Sequence, residues 1–169
     1  MIYSSDEDLL IRTISESGTK VLCTEEIAQG RLGATEQKYL RRLTDNASGK
    51  SIALIAEYKG RVAGYVNVYS NTIKDDAANK EYCNIVDFGG LKKYRNHGVG
   101  SRLMHTAEQI ASEYADTVFI GVALHSGYGS AQRMYVKRGY IPDGKGVWYG
   151  PEVRVPYQTI VMTTNCPYA

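Results

Sequence analysis

Arg95-Asn96-His97-Gly98-Val99-Gly100 lies between a stretch that reads as a strand, Tyr82–Leu91 (YCNIVDFGGL), and the clearest helical pattern in the chain. In that pattern Leu103, Ala107, Ile110 and Tyr114 recur at i, i+4, i+7 and i+11, with Met104 and Ala111 beside them. Two glycines one residue apart let a backbone come close to a ligand. The first-turn amides of the following helix then point at it with the positive end of the helix dipole, and Arg95 adds charge. Such a turn is a phosphate or pyrophosphate cradle, or equally a tight strand-to-helix turn with an exposed arginine. Two better-known phosphate motifs are excluded. A dinucleotide fingerprint would need glycine at 103, where Leu stands, inside a parallel βαβ unit. A P-loop over Gly139–Lys145 would need Ser or Thr at 146, where Gly stands; it follows a helix rather than a strand, and Pro142 lies inside it.

Upstream of this turn, Ser51–Glu57 and Val62–Tyr69 alternate as strands joined by Tyr58-Lys59-Gly60-Arg61, which predicts an antiparallel hairpin. Residues 70–80 are polar and read as a connection, and Gly89-Gly90 is expected to weaken or bulge the end of the next strand. Leu9–Thr13 reads as an edge strand. From Thr24 to Leu43 the pattern is helical, with Thr24 capping Glu26 and Ile27. Its apolar side would be Ile27, Leu32, Tyr39, Leu40 and Leu43, and Gly30 and Gly33 would split it into two short helices. Asn46–Lys50 reads as a loop. Downstream, Thr117–Leu124 reads as a buried central strand and Ser130–Arg138 as a helix with Ser130 as N-cap and Gly139 as stop. Gly146–Tyr149 and Tyr157–Thr163 read as two short strands. The class is mixed α/β (α+β).

The chain has 169 residues and 18.7 kDa, with 43% hydrophobic and 22% charged side chains, which suits one domain over 1–169. A net charge of +2 is too balanced for a nucleic-acid binder that works by charge. No apolar run is long enough to span a bilayer, and MIYSSDEDLL places acids where a signal peptide has lysines, so a cytoplasmic chain without membrane contact is expected. Cys23, Cys83 and Cys166 are too scattered for a disulfide framework, and His97, His105 and His125 do not share metal-ligand spacing with them; no metal is expected. Tyrosine stands out, 14 residues against two Phe and one Trp, which suits hydroxyls placed at rims and clefts.

The loop resembles the R/Q-x-x-G-x-G/A signature of the GNAT N-acetyltransferase superfamily, preceded by the Tyr94-Arg95 pair common in that family. Some thirty residues on, Ala131-Gln-Arg-Met134-Tyr135-Val-Lys137-Arg-Gly139-Tyr140 resembles the family's second motif, A-x-x-L-Y-x-K-x-G-F. The two come in family order, divided by a helix and a strand. The resemblance implies the GNAT acyl-CoA N-acyltransferase fold: a central, mostly antiparallel sheet with splayed central strands and flanking helices. It implies acetyl-CoA as cosubstrate, with its pyrophosphate on the amides of Asn96, His97, Gly98, Val99, Gly100 and Ser101 beside Arg95. Pantetheine would run along Phe88, Gly89, Gly90 and Leu91. Tyr128 and Lys137 complete the implied contacts, although Tyr128 stands where the family often carries Asn.

The implied chemistry is attack of a neutral primary amine on the thioester. An ordinary alkylammonium is mostly charged at pH 7, so a base or a desolvated pocket must help. Tyr135 is the family-matched acid for the departing thiolate, and a backbone N–H near Gly90 or Leu91 would hold the oxyanion. Where many members carry a glutamate on the third strand, this chain has Asn84. Asp87 is the nearest carboxylate and the candidate base, through water if need be, although its odd spacing from Asn84 places it on the opposite strand face. Glu81 is a weaker candidate, and His125 a candidate relay or a satisfied strand-end histidine. Trp148 with Pro142–Gly150 would wall the acceptor pocket, or pack in the core, with the Thr24–Leu43 helices opposite. The acceptor is a small-molecule or protein amine, and the chain a monomer or homodimer. The competing readings are a CoA-binding regulatory module without turnover and an unrelated nucleotide binder.

Overall fold

The computed structural model describes residues 1–31, 33–75, 80–123, 126–149 and 152–155, with the side chains of 71–75, 80, 81, 126, 148, 149 and 152 outside that description. Expectations that involve Leu32, Leu124, His125, Gly150 and Tyr157–Thr163, and the thiol Cys166, therefore lie outside the described residues. Two compact units make up the chain, Met1–Gly121 and Val122–Ala169.

The first unit holds strands β1 (Ile2–Ser5), β2 (Leu9–Thr13), β3 (Ile52–Tyr58), β4 (Arg61–Asp75), β5 (Lys80–Gly90) and β6 (Val118–Ile120). It also holds helices α1 (Glu16–Ala28), α2 (Glu36–Ala47) and α3 (Val99–Ser112). The sheet order is β1-β2-β3-β4-β5-β6, antiparallel throughout except for the parallel pair β5/β6. In the second unit lie α4 (Gly129–Lys137) and a small ribbon of β7 (Trp148–Tyr149) and β8 (Glu152–Val153).

The β3–β4 hairpin forms as the sequence predicts. Lys59 and Gly60 both take positive φ, 49° and 72°, the two-residue turn whose twist matches that of the flanking strands. Elsewhere the boundaries move. Leu9–Thr13 is an inner strand, because β1 pairs on its far side. Backbone pairing carries β4 and β5 through most of the polar stretch expected as a connection, with Ile73 opposite Tyr82 and Asp75 opposite Lys80.

The helices α1 and α2 also depart from expectation. α1 begins eight residues before Thr24, capped by Ser15, whose hydroxyl accepts from the Gly18 amide. Thr24 is mid-helix, its hydroxyl bonded back to the Lys20 carbonyl at 3.0 Å. The side of α1 that packs inward is Gly18, Thr19, Leu22, Cys23 and Glu26, while Ile27 is exposed. Gly18 is close-packed: a Cβ there would sit 2.6 Å from Ile55 Cδ1. α2 is capped by Thr35 and extends through Asn46, so the expected loop starts later; Leu40 is exposed and Tyr39 is buried. α4 starts at Gly129 with Tyr128, not Ser130, in the capping position.

Candidate active site

Strand β5 and the turn into α3 carry most of the predicted cofactor residues. After β5 the chain makes a 3-10 turn at Lys92–Tyr94, and Asn96 (φ 64°) and Gly98 (φ 77°) then take left-handed conformations that swing the backbone into α3. Gly98 caps the helix without any side chain, and the first-turn amides have no acceptor inside the helix. Arg95, Asn96, His97, Gly98 and Ser101 are exposed, whereas Val99 is buried and offers only its backbone. His97 is placed by its Nδ1, 2.7 Å from the Arg95 carbonyl, and by stacking on Tyr58 at 4.8 Å between ring centres. Gly100 is small because Phe88 is there: a Cβ on Gly100 would lie 3.3 Å from Phe88 Cζ. The strand and the cradle are thus packed against each other.

Among the described residues, nothing pairs with β5 beyond Ile85 on its β6 side. Its pairing with β6 runs from Cys83–Val118 to Ile85–Ile120 and stops there, while on its other side β5 stays paired with β4 as far as Gly90. The Leu91 amide donates to the Ala63 carbonyl at 2.8 Å. It is therefore spent on the sheet, which corrects its expected role toward an oxyanion. Backbone groups alternate along a strand, so the Gly90 N–H faces the β6 side. Apart from each glycine's own chain neighbours, no described atom lies within 4 Å of where a Cβ on Gly90 or Gly98 would sit.

A bulge aims Asp87 where parity would not. Tyr65 opposes Gly89 but Asn67 opposes Val86, so β5 carries an extra residue, and Asp87 absorbs it with φ 51°. Asp87 consequently faces α2, the same side as Asn84, whose partner Tyr69 bonds Asp45 of α2. The expected opposite-face placement is overturned, and the bulge lies at Asp87 rather than at the glycine pair. The carboxylate meets cations: Arg42 Nε donates to Oδ2 at 2.7 Å, and Lys38 Nζ lies 3.2 Å from Oδ1. Burial pulls the Arg42 pKa down, but Asp87 and Tyr69 outweigh it and hold the group above its ordinary value. The Oδ1 atom of Asn84 is buried and has no hydrogen-bond partner among the described residues.

Beside Asp87 on this face is a cluster the sequence did not disclose. Glu26 is buried and accepts from the hydroxyls of Tyr39 and Tyr65 and from Arg31. Burial, reinforced by Glu26, raises the pKa of both phenols far above the ordinary tyrosine value. A Cβ on Gly89 would stand 2.7 Å from Arg31 Nη1 and 2.9 Å from Tyr65 Cε1, so this glycine makes room for Arg31. The only sequence signal was Gly89 itself, beside an excess of tyrosine.

In the second unit, Tyr135 is buried on α4, its ring 5.7 Å from that of Tyr140. The Tyr140 amide bonds the Tyr135 carbonyl, and Gly139 ends the helix at φ 90°. Tyr128 sits at the start of α4 and Lys137, exposed, at its end. Gln132 Nε2 donates to the Ala123 carbonyl at 2.9 Å, tying the helix to the segment before it. Among the described residues, no group of three or more His, Cys, Asp or Glu is placed to hold a metal ion, and no helix is long and apolar enough to cross a membrane.

Known folds agree with this arrangement. Glucosamine-6-phosphate N-acetyltransferase from Arabidopsis thaliana superposes with a TM-score of 0.63 at 16% identity, over 84% of this chain and 97% of that one. The aminoglycoside antibiotic 6′-N-acetyltransferase AAC(6′)-IG from Acinetobacter haemolyticus gives 0.64 at 16% identity, over 85% and 99%. AAC(6′)-Iy, in complex with the bisubstrate analogue CoA-S-monomethyl-acetylneamine, gives 0.67 at 12% identity, over 83% and 96%. At these identities the likeness is one of fold. No curated protein sequence matches the chain significantly. Residues 22–140 match the model of the acetyltransferase (GNAT) family, about two thirds of the chain and both sequence motifs. The chain belongs to the acetyltransferase (GNAT) family of enzymes.

Proposed function

We propose that the chain is an N-acetyltransferase that moves the acetyl group of acetyl-CoA to a primary amine by direct attack in a ternary complex. The observation that carries this reading is the left-handed turn at Asn96 and Gly98, which opens the N-terminus of α3 beside the edge of β5 that no described residue pairs beyond Ile85. Those residues fit the cosubstrate: first-turn amides and Arg95 for a pyrophosphate, and the Phe88–Gly90 edge for an extended amide chain. Acetyl-CoA supplies an activated thioester. Residues 1–169 act in this reading as one domain, in the cytoplasm.

The chain's own groups supply position and protons. The Gly90 N–H, facing the β6 side, is the backbone donor toward negative charge on the acyl oxygen. The Tyr135 hydroxyl gives its proton to the leaving sulfur, and Tyr128 and Lys137 flank it on α4 as cosubstrate contacts. Asp87 belongs to an ion-pair cluster with Lys38 and Arg42. In this reading Asp87 is also the base that takes the amine's proton, through a water if need be.

Two measurements test the reading. Acetyl-CoA at about 100 times its Kd should stabilise the fold by about 2.7 kcal/mol, seen as a rise in Tm that ATP and NAD do not give. No rise would break the assignment. Replacing Tyr135 by Phe should lower kcat by about 10²-fold while leaving CoA affinity nearly intact. Unchanged turnover would remove Tyr135 from its role, and CoA binding with no acetyl transfer to any amine would favour the regulatory module.

A further inference from the structure

The acetyltransferase reading leaves the acceptor amine open, and an inference about an amine of the chain itself rests on that reading. Three lysines stand near the end of β5. Two of them fasten the C-terminal end of α1 over it: the Lys92 amide donates to Gln29 Oε1 at 3.0 Å, Lys92 Nζ donates to the Gln29 carbonyl at 3.3 Å, and Lys93 pairs with Glu25. The third, Lys38, has another setting. Its backbone amide lies in the first turn of α2, bonded to Thr35 Oγ1 at 3.3 Å, and its side chain is only 18% exposed.

The Lys38 nitrogen meets a base on one side and aromatic rings on the other. It lies 3.2 Å from Asp87 Oδ1 and 5.6 Å from the ring centres of both Tyr39 and Tyr65. Tyr65 opposes Gly89 across the sheet, and its Cε1 is 2.9 Å from where a Cβ on that glycine would sit. The ammonium is therefore held beside the segment along which the acyl donor is to run, on the carboxylate that takes the proton of an acceptor amine. An ordinary alkylammonium needs such a base, being mostly charged at neutral pH. Asp87 does not depend on Lys38 alone: Arg42 Nε donates to Oδ2 at 2.7 Å, so a neutral side chain at 38 leaves the carboxylate paired. A nucleophile already held at the reacting centre gains in rate what an encounter from solution has to supply.

We infer that Lys38 is an internal acceptor: with acetyl-CoA bound and no external amine present, the protein acetylates its own Lys38. The Nζ ammonium gives one proton to Asp87, and the neutral nitrogen attacks the thioester carbon. The C–N bond forms and the C–S bond breaks. A second proton from the nitrogen ends on the departing sulfur, so CoA leaves as the thiol, and Asp87 returns its proton to water. The uncharged amide that results keeps one N–H, a donor for Asp87 Oδ1.

Incubation of the intact protein with acetyl-CoA alone, followed by peptide mapping in the mass spectrometer, tests this. A single acetyl group per chain should appear, on Lys38, at a fractional rate that dilution of the protein does not change. Uncatalysed acetylation favours exposed lysines, and Lys20, Lys50 and Lys59 are 68%, 58% and 64% exposed. Lys38 should nevertheless be modified faster than any of these by about 10-fold or more, and the preference should vanish in urea. Lys38→Arg, which keeps a cation for Asp87, should abolish the label while the Tm rise with acetyl-CoA persists. Asp87→Asn should slow the labelling by about 10²-fold. Modification that follows exposure, a fractional rate that grows with protein concentration, or a Tm rise with acetyl-CoA but no acetyl group on Lys38 would overturn the inference and leave the acetyltransferase reading standing. Absence of both the Tm rise and the label would bring down both.

Discussion

The two faces of one sheet are built from different chemistry. Toward α3 the sheet presents Gly64, Val66 and Val68 of β4 and Cys83 and Ile85 of β5, against Leu103, Met104, Ala107 and Ile110. Its buried hydroxyl, Thr106, is satisfied within the helix by the Arg102 carbonyl. Toward α1 and α2 the alternate residues of β4 are Tyr65, Asn67 and Tyr69, all buried, and beneath the helices lie Glu26 and Asp45. An apolar face loses little when side chains slide, since dispersion is non-directional. A face of phenols and ion pairs fixes orientation, because each group left without its partner costs its full desolvation. The first face holds the sheet together, while the second sets where Arg31, Lys38 and Asp87 stand.

The largest effect should come from the apolar face. Leu103 is fully buried, and its Cδ1 lies 2.9 Å from where a Cβ on Gly64 would sit. Leu103→Ala should cost about 2–5 kcal/mol in urea unfolding, without changing the acceptor KM of the molecules that remain folded. A change confined to KM would show that the two faces do not divide the work in this way. Glu26→Gln on the opposite face should cost less, about 1–3 kcal/mol, since the amide oxygen can still accept from both phenols but the side chain no longer neutralises Arg31. Its signature is the reverse: a modest drop in stability together with a rise in acceptor KM. If the two variants behave alike, the division fails.

Which parts of this arrangement the sequence discloses depends on the same contrast. α3 is legible because its buried residues are apolar and periodic, and the cradle because a left-handed cap with close approach calls for glycine. The β3–β4 hairpin announces itself through Lys59-Gly60. α1 does not, since its inward residues include Gly18, Thr19 and Glu26, which hydropathy reads as exposed. Asp87 is misread for another reason: strand parity assumes an unbroken pleat, and a non-glycine residue at φ 51° leaves no mark in composition. The contact of Arg31 with Gly89 joins residues 58 apart and exists only once α1 is fastened over β5. Polar clusters of this kind are specified by geometry among several elements, whereas an apolar helix face is specified by its own spacing.

The smallest effect at neutral pH, and the sharpest separation of the two faces, lies at alkaline pH. Burial above all, helped by Glu26 and opposed at Tyr65 by Arg31, holds Tyr39 and Tyr65 protonated in the folded protein far above the range in which a free phenol ionises; burial and Asp45 push Tyr69 the same way. A group whose folded pKa is raised contributes stability that is complete below its unfolded pKa. That contribution is lost as pH climbs from about 10, because the unfolded chain releases the proton and the folded chain keeps it. Unfolding free energy should therefore be flat in this respect up to about pH 9. It should then fall by roughly 1.4 kcal/mol per pH unit for each phenol still protonated when folded. Tyr65→Phe should remove one such increment from the slope, and ultraviolet titration should show a class of tyrosines that ionises only on unfolding. Leu103→Ala, by contrast, should lower the whole curve without altering its alkaline slope, since no phenol is lost from the α3 face. A slope unchanged by Tyr65→Phe would mean that the phenol ionises in place, and that Glu26 does not hold the face under α1 and α2 as rigidly as its hydrogen bonds require.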